Sequence, residues 1–195
     1  MKHSLLQAQQ TAPMSRRALH GIFSVALLGL LYTPLLAWSE STQYSDDQIK
    51  AVFLYHFTSF IRWPEDAFAS GDTDFRICTA ASDPINKTLS AIIAGESVNN
   101  RGIELYTLAE GDQAESCQIL YLPGNGDDHL LERLNDGAAR TLTVSDDKEF
   151  IKRGGMIKFH FERGRIRPVI HKSRLDNANL KASAKLLQLA TLVSE

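Results

Sequence analysis

The spacing of apolar and polar positions changes several times along the chain, and each change marks an element. An apolar run over residues 18–37 opens the sequence. Further on, Ser45-Asp46-Asp47-Gln48 has the form of a capping box, in which a serine and a glutamine three residues apart satisfy two amides at a helix start. Residues 49–61 come next, with apolar side chains on nearly every side. That pattern predicts a largely buried helix with His56 as a core histidine, ended by Trp63-Pro64. Residues 75–79 read as a strand, Asp83-Pro84 opens a helix to about residue 94, and Gly95 closes it.

The same alternation continues. Residues 103–107 and the apolar run 118–122 read as strands, and Pro123-Gly124-Asn125-Gly126 turns the chain into a helix capped by Asp127 or Asp128. Residues 141–144 make another strand ahead of a short helical turn, for which Asp146 and Glu149 supply a capping box. Strands and helices in this order predict an α/β fold, a mostly parallel sheet with helices on both faces.

The end of the sheet differs. Residues 156–162 and 165–170 flank Arg163-Gly164, the two-residue spacing of an antiparallel hairpin. Pairing across that turn sets Phe161 beside Ile166, Phe159 beside Pro168 and Ile157 beside Ile170 on an apolar face. Glu162 then lies by Arg165, and His160 by Arg167, on a charged one. Pro168 has no N–H for a ladder, so its strand is expected at the sheet edge. An amphipathic C-terminal helix is expected over residues 180–193, with Leu186, Leu187, Leu189, Ala190 and Val193 on its apolar side.

Charge alters the picture at the amino terminus. Residues 1–39 contain Lys2, Arg16 and Arg17 and no acidic residue, and the apolar run after the arginines is closed by Pro34 and by Ala37-Trp38-Ser39. This is the layout of a secretory signal peptide, cut after Ser39 or, second, after Ala37. An uncleaved anchor is the alternative, opposed by Pro34 and the small residues beyond it. Export would leave residues 40–195 as a single domain.

Composition is that of a globular chain: 195 residues, 44% apolar and 23% charged, with a net charge of -2. The balance is uneven, since residues 151–185 carry ten basic side chains against Glu162 and Asp176 alone. Such a segment favours anionic ligands, lipid headgroups or an acidic partner, or is a solvated face balanced by the rest of the domain.

Catalytic patterns are weak. Gly124-Asn125-Gly126 lacks the third glycine of a phosphate-binding fingerprint and is followed by Asp127 and Asp128, which repel phosphate. Ser145 and Lys148 match a Ser-x-x-Lys pattern without its partner motifs. His56, His129, His160 and His171 include no pair at metal-ligand spacing. The expectation is no enzyme, no metal and no cofactor. Cys78 and Cys117 are expected to pair in an oxidising compartment, with reduced thiols or a redox-switchable bridge as alternatives.

In this order the motifs resemble the YfiR family of periplasmic proteins. The resemblance rests on Lys50-Ala51-Val52-Phe53-Leu54-Tyr55-His56-Phe57, Phe60-Ile61-Arg62-Trp63-Pro64, Phe75-Arg76-Ile77-Cys78, Ser116-Cys117-Gln118-Ile119-Leu120, Leu142-Thr143-Val144-Ser145-Asp146, Gly154-Gly155-Met156-Ile157-Lys158-Phe159 and Leu180-Lys181-Ala182-Ser183-Ala184-Lys185-Leu186-Leu187. It implies a regulator that binds the periplasmic sensor domain of an inner-membrane diguanylate cyclase and lowers cyclic di-GMP and biofilm formation. An outer-membrane lipoprotein relieves such restraint in relatives. A homodimer is a further expectation; nucleic acid is not. Cys78 and Cys117 match one family cysteine pair, and a second pair seen in some relatives is missing. The resemblance also implies small-molecule binding through Arg62 and Lys181, weakened by Ser183 where some relatives have histidine. The exposed side of the hairpin, Lys158, His160, Arg165 and Arg167, is the candidate partner-binding face. The alternative is a binding module for an anionic small molecule such as a nucleotide.

Overall fold

The computed structural model describes residues 44–80, 82–109, 111–124, 128–136, 139–162 and 165–194. The expected leader with its cleavage point, the Asp127 cap and the Arg163-Gly164 turn lie outside the described residues. Helix α1 (Asp46–Phe60) starts on the expected capping box: Gln48 N–H donates to Ser45 Oγ at 3.2 Å, and Ser45 N–H to Gln48 Oε1 at 2.8 Å. Only one of its faces is buried, carrying Lys50, Ala51, Leu54, Phe57 and Thr58. Val52 and His56 are exposed, and the expected core histidine instead stacks on Phe60 at the surface, ring centroids 5.6 Å apart. Apolar residues on an outer helix face are ordinary surface, which is why their number overstates the burial.

The strand β1 (Ile61–Arg62) comes directly after it, then β2 (Phe75–Ala80) and helix α2 (Ile85–Ile93). Asp83 Oδ1 accepts from Ile85 N–H at 2.9 Å, and Gly95 turns the chain at φ +77°. A tight hairpin not expected from the hydrophobic pattern joins β3 (Ser97–Val98) to β4 (Arg101–Leu108). Asn99 and Asn100 both have positive φ there, the conformation of a two-residue hairpin turn that asparagine tolerates. Then come β5 (Ile119–Leu122), α3 (Asp128–Asp136), β6 (Leu142–Ser145), β7 (Ile157–Glu162) and β8 (Arg165–His171). Helix α4 (Lys172–Asn177), β9 (Lys181–Ala182), α5 (Ala184–Leu189) and β10 (Thr191–Val193) complete the chain.

Eight strands form one sheet in the order β10-β8-β7-β6-β5-β2-β4-β3, parallel except for the β3/β4 and β7/β8 pairs. Alternation along the strands builds two cores. Ile77, Ile119, Tyr121 and Val144 pack on one face against Leu54 and Phe57 of α1 and Ile85 and Leu89 of α2. Cys78, Leu120 and Leu122 pack on the other against Leu131 and Leu134 of α3. The mixed α/β fold and the hairpin register, Phe161 to Ile166, Phe159 to Pro168 and Ile157 to Ile170, are as expected.

Two further expectations about the end of the sheet need correction. The strand holding Pro168 is not terminal, because β10 lies outside it; yet β10 pairs only with Val169 to His171, so Pro168 keeps a position where no N–H is called for. The C-terminal helix is far shorter than residues 180–193. Lys181 and Ala182 are captured as a strand, Ser183 Oγ then caps α5 by accepting from Leu186 N–H, and the β-branched Thr191 and Val193 join the sheet. Leu186 is buried, whereas Leu189 is exposed.

Candidate functional site

The hairpin presents two unlike faces. Phe159 and Ile157 are buried beneath α1, with Phe53 and Phe57 ring centroids 5.7 and 6.0 Å from that of Phe159. On the opposite face His160, Arg165 and Arg167 are exposed, and His160 stands directly across from Arg167. Lys158 is half-buried, its Nζ donating to Lys148 O at 2.9 Å, so it is less exposed than its position in the strand implied. The structure thus brings three of the four candidate partner-binding residues together as an exposed basic cluster.

Arg62 and Lys181 also meet. β1 and β9 form a separate two-stranded antiparallel ladder in which Ile61 pairs with Ala182 and Arg62 with Lys181. Ser183 N–H, donating to Phe60 O at 2.8 Å, secures its end. Both cationic side chains are exposed. Lys172 Nζ donates to Asp176 Oδ2 at 2.6 Å and Lys181 Nζ to Asp176 Oδ1 at 2.9 Å, and the two bonds, Lys172's first, hold the Asp176 carboxyl below the usual carboxylate range. Lys185 Nζ lies 5.4 Å from the ring centroid of Phe60, the residue before β1. The ladder is a basic patch with one built-in carboxylate.

The cysteines are joined. Cys78 and Cys117 form a disulfide with Cα atoms 5.9 Å apart, and both are buried. Strand register alone would separate them, because Ile77 lies beside Ile119. A 3-10 turn at Ala114–Ser116 redirects the chain at Cys117, and Gln118 anchors the start of β5. Its Oε1 accepts from Arg76 N–H at 2.8 Å, its Nε2 donates to Ala67 O at 2.6 Å, and its carbonyl accepts from Trp63 Nε1 at 3.2 Å.

Sequence reasoning missed a charged cluster at the carboxyl ends of β2, β5 and β6, where ligands sit in many α/β sheets. Lys50 projects from the buried face of α1 and bonds Asp47 Oδ1 at 2.7 Å and Asp146 Oδ2 at 3.0 Å. Asp146 Oδ1 accepts from Gly124 N–H at 2.9 Å. Burial would lower the Lys50 ammonium, but the two aspartates more than offset it and hold it above the ordinary lysine value. Burial would raise Asp146; the Gly124 N–H and Lys50 outweigh it and hold the carboxyl below its usual range. Asp83, also nearby, is pushed up by burial. Tyr121 Oη is buried beside Asp146 without hydrogen-bond geometry, and burial followed by the Asp146 charge drives its phenol upward. The available signal was Lys50 itself, a lysine in the same helical stripe as Leu54 and Phe57.

The described parts of the two weak catalytic motifs lie at or beside this cluster. The Gly124 amide is used by Asp146 and is not offered to a phosphate. Ser145 is buried and its hydroxyl accepts from Asp147 N–H at 3.0 Å. The expected Asp146 and Glu149 capping box does not form: Glu149 N–H donates to Asp147 Oδ1, leaving Asp146 for Lys50. Among the described residues no group of three His, Cys, Asp or Glu side chains could hold a metal ion, and no helix is long and apolar enough to cross a membrane.

The DUF4154 family, described as YfiR/HmsC-like, matches residues 47–191. The chain belongs to this YfiR/HmsC-like family. The match spans α1 to the first residue of β10, and so contains the Lys50 cluster, the disulfide, the hairpin and the Arg62/Lys181 ladder. A comparison with individually curated proteins returns no match.

Proposed function

We propose that this YfiR/HmsC-like protein is an exported, non-catalytic regulator of cyclic di-GMP signalling. In this reading it works in the periplasm, binding the sensor domain of an inner-membrane diguanylate cyclase and holding it in an inactive conformation. The observation that carries the reading is the family match over nearly all of the described chain, joined to a hairpin whose outer face displays His160, Arg165 and Arg167 to a partner. Docking restrains the cyclase by favouring one of its conformations, and anything that weakens the complex, including a competing outer-membrane lipoprotein, releases it.

The test is genetic and physical. Deleting the gene raises cyclic di-GMP, and removing the partner cyclase abolishes that rise; an unchanged level after deletion in export-competent cells rejects the reading. Arg165→Glu with Arg167→Glu reduces docking and raises cyclic di-GMP. Binding that stays unchanged at low salt, where charge contacts are least screened, rejects the hairpin as the docking face.

A second reading, capture of an anionic small molecule such as a nucleotide, is favoured by the cross-strand pairing of Arg62 with Lys181. It predicts ligand-dependent melting of the isolated protein that is lost in Arg62→Ala.

A further inference from the structure

β10 closes the sheet without covering the whole of β8. Its three residues pair with Val169, Ile170 and His171, so the first four residues of β8 form the outer edge themselves. The hydrogen-bond pattern identifies which backbone groups face outward. His171 N–H donates to Met156 O at 2.9 Å, on the β7 side, and every second residue of an antiparallel strand bonds to the same side. Arg165, Arg167 and Val169 therefore bond to β7, while Ile166 turns its N–H and C=O away from it. Pro168, next on that edge, has no N–H to offer.

A cleft of about 670 Å³ opens along this gap. Phe53, Ile166, Pro168 and Leu189 wall its apolar side, Arg165 and Arg167 stand at its charged side, and Glu162 marks its tip. Phe161 and Leu192, two further exposed apolar side chains, lie on the neighbouring strands. Neither Arg165 nor Arg167 has an ion-pair partner among the described residues, although Glu162 stands across the hairpin from Arg165.

We propose that the gap receives an extended segment of a partner protein as an added strand, one that alternates apolar and acidic residues. The inference rests on the docking role assigned above to the hairpin and specifies the chemistry of the partner. Four residues of unpaired edge span about 13 Å at ~3.3 Å per residue, enough for a short strand in line with β10. Such a strand hydrogen-bonds to Ile166 through its backbone. It sends alternate side chains to the Phe53, Ile166 and Leu189 wall and the others to Arg165 and Arg167. A second copy of this chain is a poorer occupant, because edge-to-edge pairing about a twofold axis brings like-charged arginines together.

Hydrogen exchange at the Ile166 amide tests this directly, on the full exported chain with three synthetic peptides. One alternates valine and glutamate, a second has the same sequence with alternate backbone nitrogens methylated, and a third has the same composition in two blocks. The alternating peptide slows Ile166 exchange about tenfold or more at saturation, and the other two leave it unchanged. Arg165→Glu with Arg167→Glu transfers the protection to a valine–lysine peptide, while the variant's melting temperature reports that it is folded. Equal protection by all three peptides overturns the inference. So does an Ile166 amide already protected without peptide in proportion to protein concentration, since a second copy then fills the gap. Peptides that fail to discriminate, in a protein whose deletion still raises cyclic di-GMP, defeat strand addition alone. An unchanged cyclic di-GMP level with selective peptide protection defeats the regulatory reading alone.

Discussion

Arg62 and Lys181 are cross-strand partners in the β1/β9 ladder, and Asp176 holds the lysine from one side. Two cations on one rigid ladder can share an anion, and the aspartate competes with that anion for one of them. Asp176→Asn is expected to tighten binding of a nucleoside monophosphate two- to fivefold, about 0.4–1 kcal/mol for a solvent-exposed charge. Arg62→Ala and Lys181→Ala weaken it. Isothermal titration checks the order; equal affinity in all four proteins removes the ladder as an anion site.

Lys50 ties α1 to the top of the sheet through Asp146. Lys50→Met leaves Asp146 and Asp47 without their cation and is expected to cost about 2–3 kcal/mol, less than a wholly buried pair because Asp146 is partly solvated. Lys50→Met with Asp146→Asn recovers part of the loss, as measured by urea unfolding.

The pH dependence of that linkage comes from the direction of each shift. Asp146 is held below the usual carboxylate range, so its stabilisation is present above about pH 4 and is lost as pH falls through its lower folded value. Lys50, held above its ordinary value, contributes up to strongly alkaline pH and loses its part as pH rises through that folded value. Asp83 has the opposite sign to Asp146: burial raises it, so its charge is unfavourable near neutrality. Asp83→Asn keeps the oxygen that accepts from Ile85 N–H and should gain a few tenths of a kcal/mol at pH 7, a gain that vanishes on acidification. Melting curves across pH 3 to 8 would show the two carboxylates diverging.

The disulfide closes a loop between cysteines 39 positions apart, and both of its residues are buried among Leu120, Leu122 and Leu131. Replacing both cysteines with alanine should cost about 4 kcal/mol in the chain-entropy account. The native protein should also resist mild thiol reductants, with reduction in step with unfolding. Thiol labelling alongside fluorescence checks this, and rapid labelling of the folded protein contradicts it.

Gly155 packs against Phe150 so closely that a methyl group there would overlap the ring. Gly155→Ala is expected to destabilise by about 1–3 kcal/mol, and Gly155→Ala with Phe150→Leu to recover part of it. Thermal melts of the two variants provide the comparison.

Local signals are legible wherever an element is decided by its own residues. The Ser45 and Gln48 capping box and the register from Ile157/Ile170 to Phe161/Ile166 belong to that class, whereas the pairing of the cysteines is expected from their number and an oxidising compartment, against a strand register that would separate them. The C-terminal segment misleads because its pattern is compatible with a helix, and only the presence of β1 and β8 converts Lys181, Ala182 and residues 191–193 into strands. Arg62 and Lys181 carry no local sign of their meeting, since the contact exists only after the ladder closes. The Lys50 cluster is hidden for the related reason that Asp83, Tyr121, Gly124 and Asp146 come from separate loops and strand ends. Asp146 has the spacing of a local cap that Asp147 provides instead.

Because β1 waits for β9, and β8 for β10, the segments made first cannot finish folding until the last residues arrive. The β1/β9 contact is among the most distant of the strand pairings in sequence, which favours late closure of that part of the domain over stepwise assembly during synthesis. A chain interrupted before Lys181 would lose both the β1 ladder and the Ser183 amide that caps the Phe60 carbonyl. Such a fragment would leave β1 without a strand partner and the Phe60 carbonyl without its donor. Arrival of the C-terminal segment is therefore the event that commits the chain to its final form.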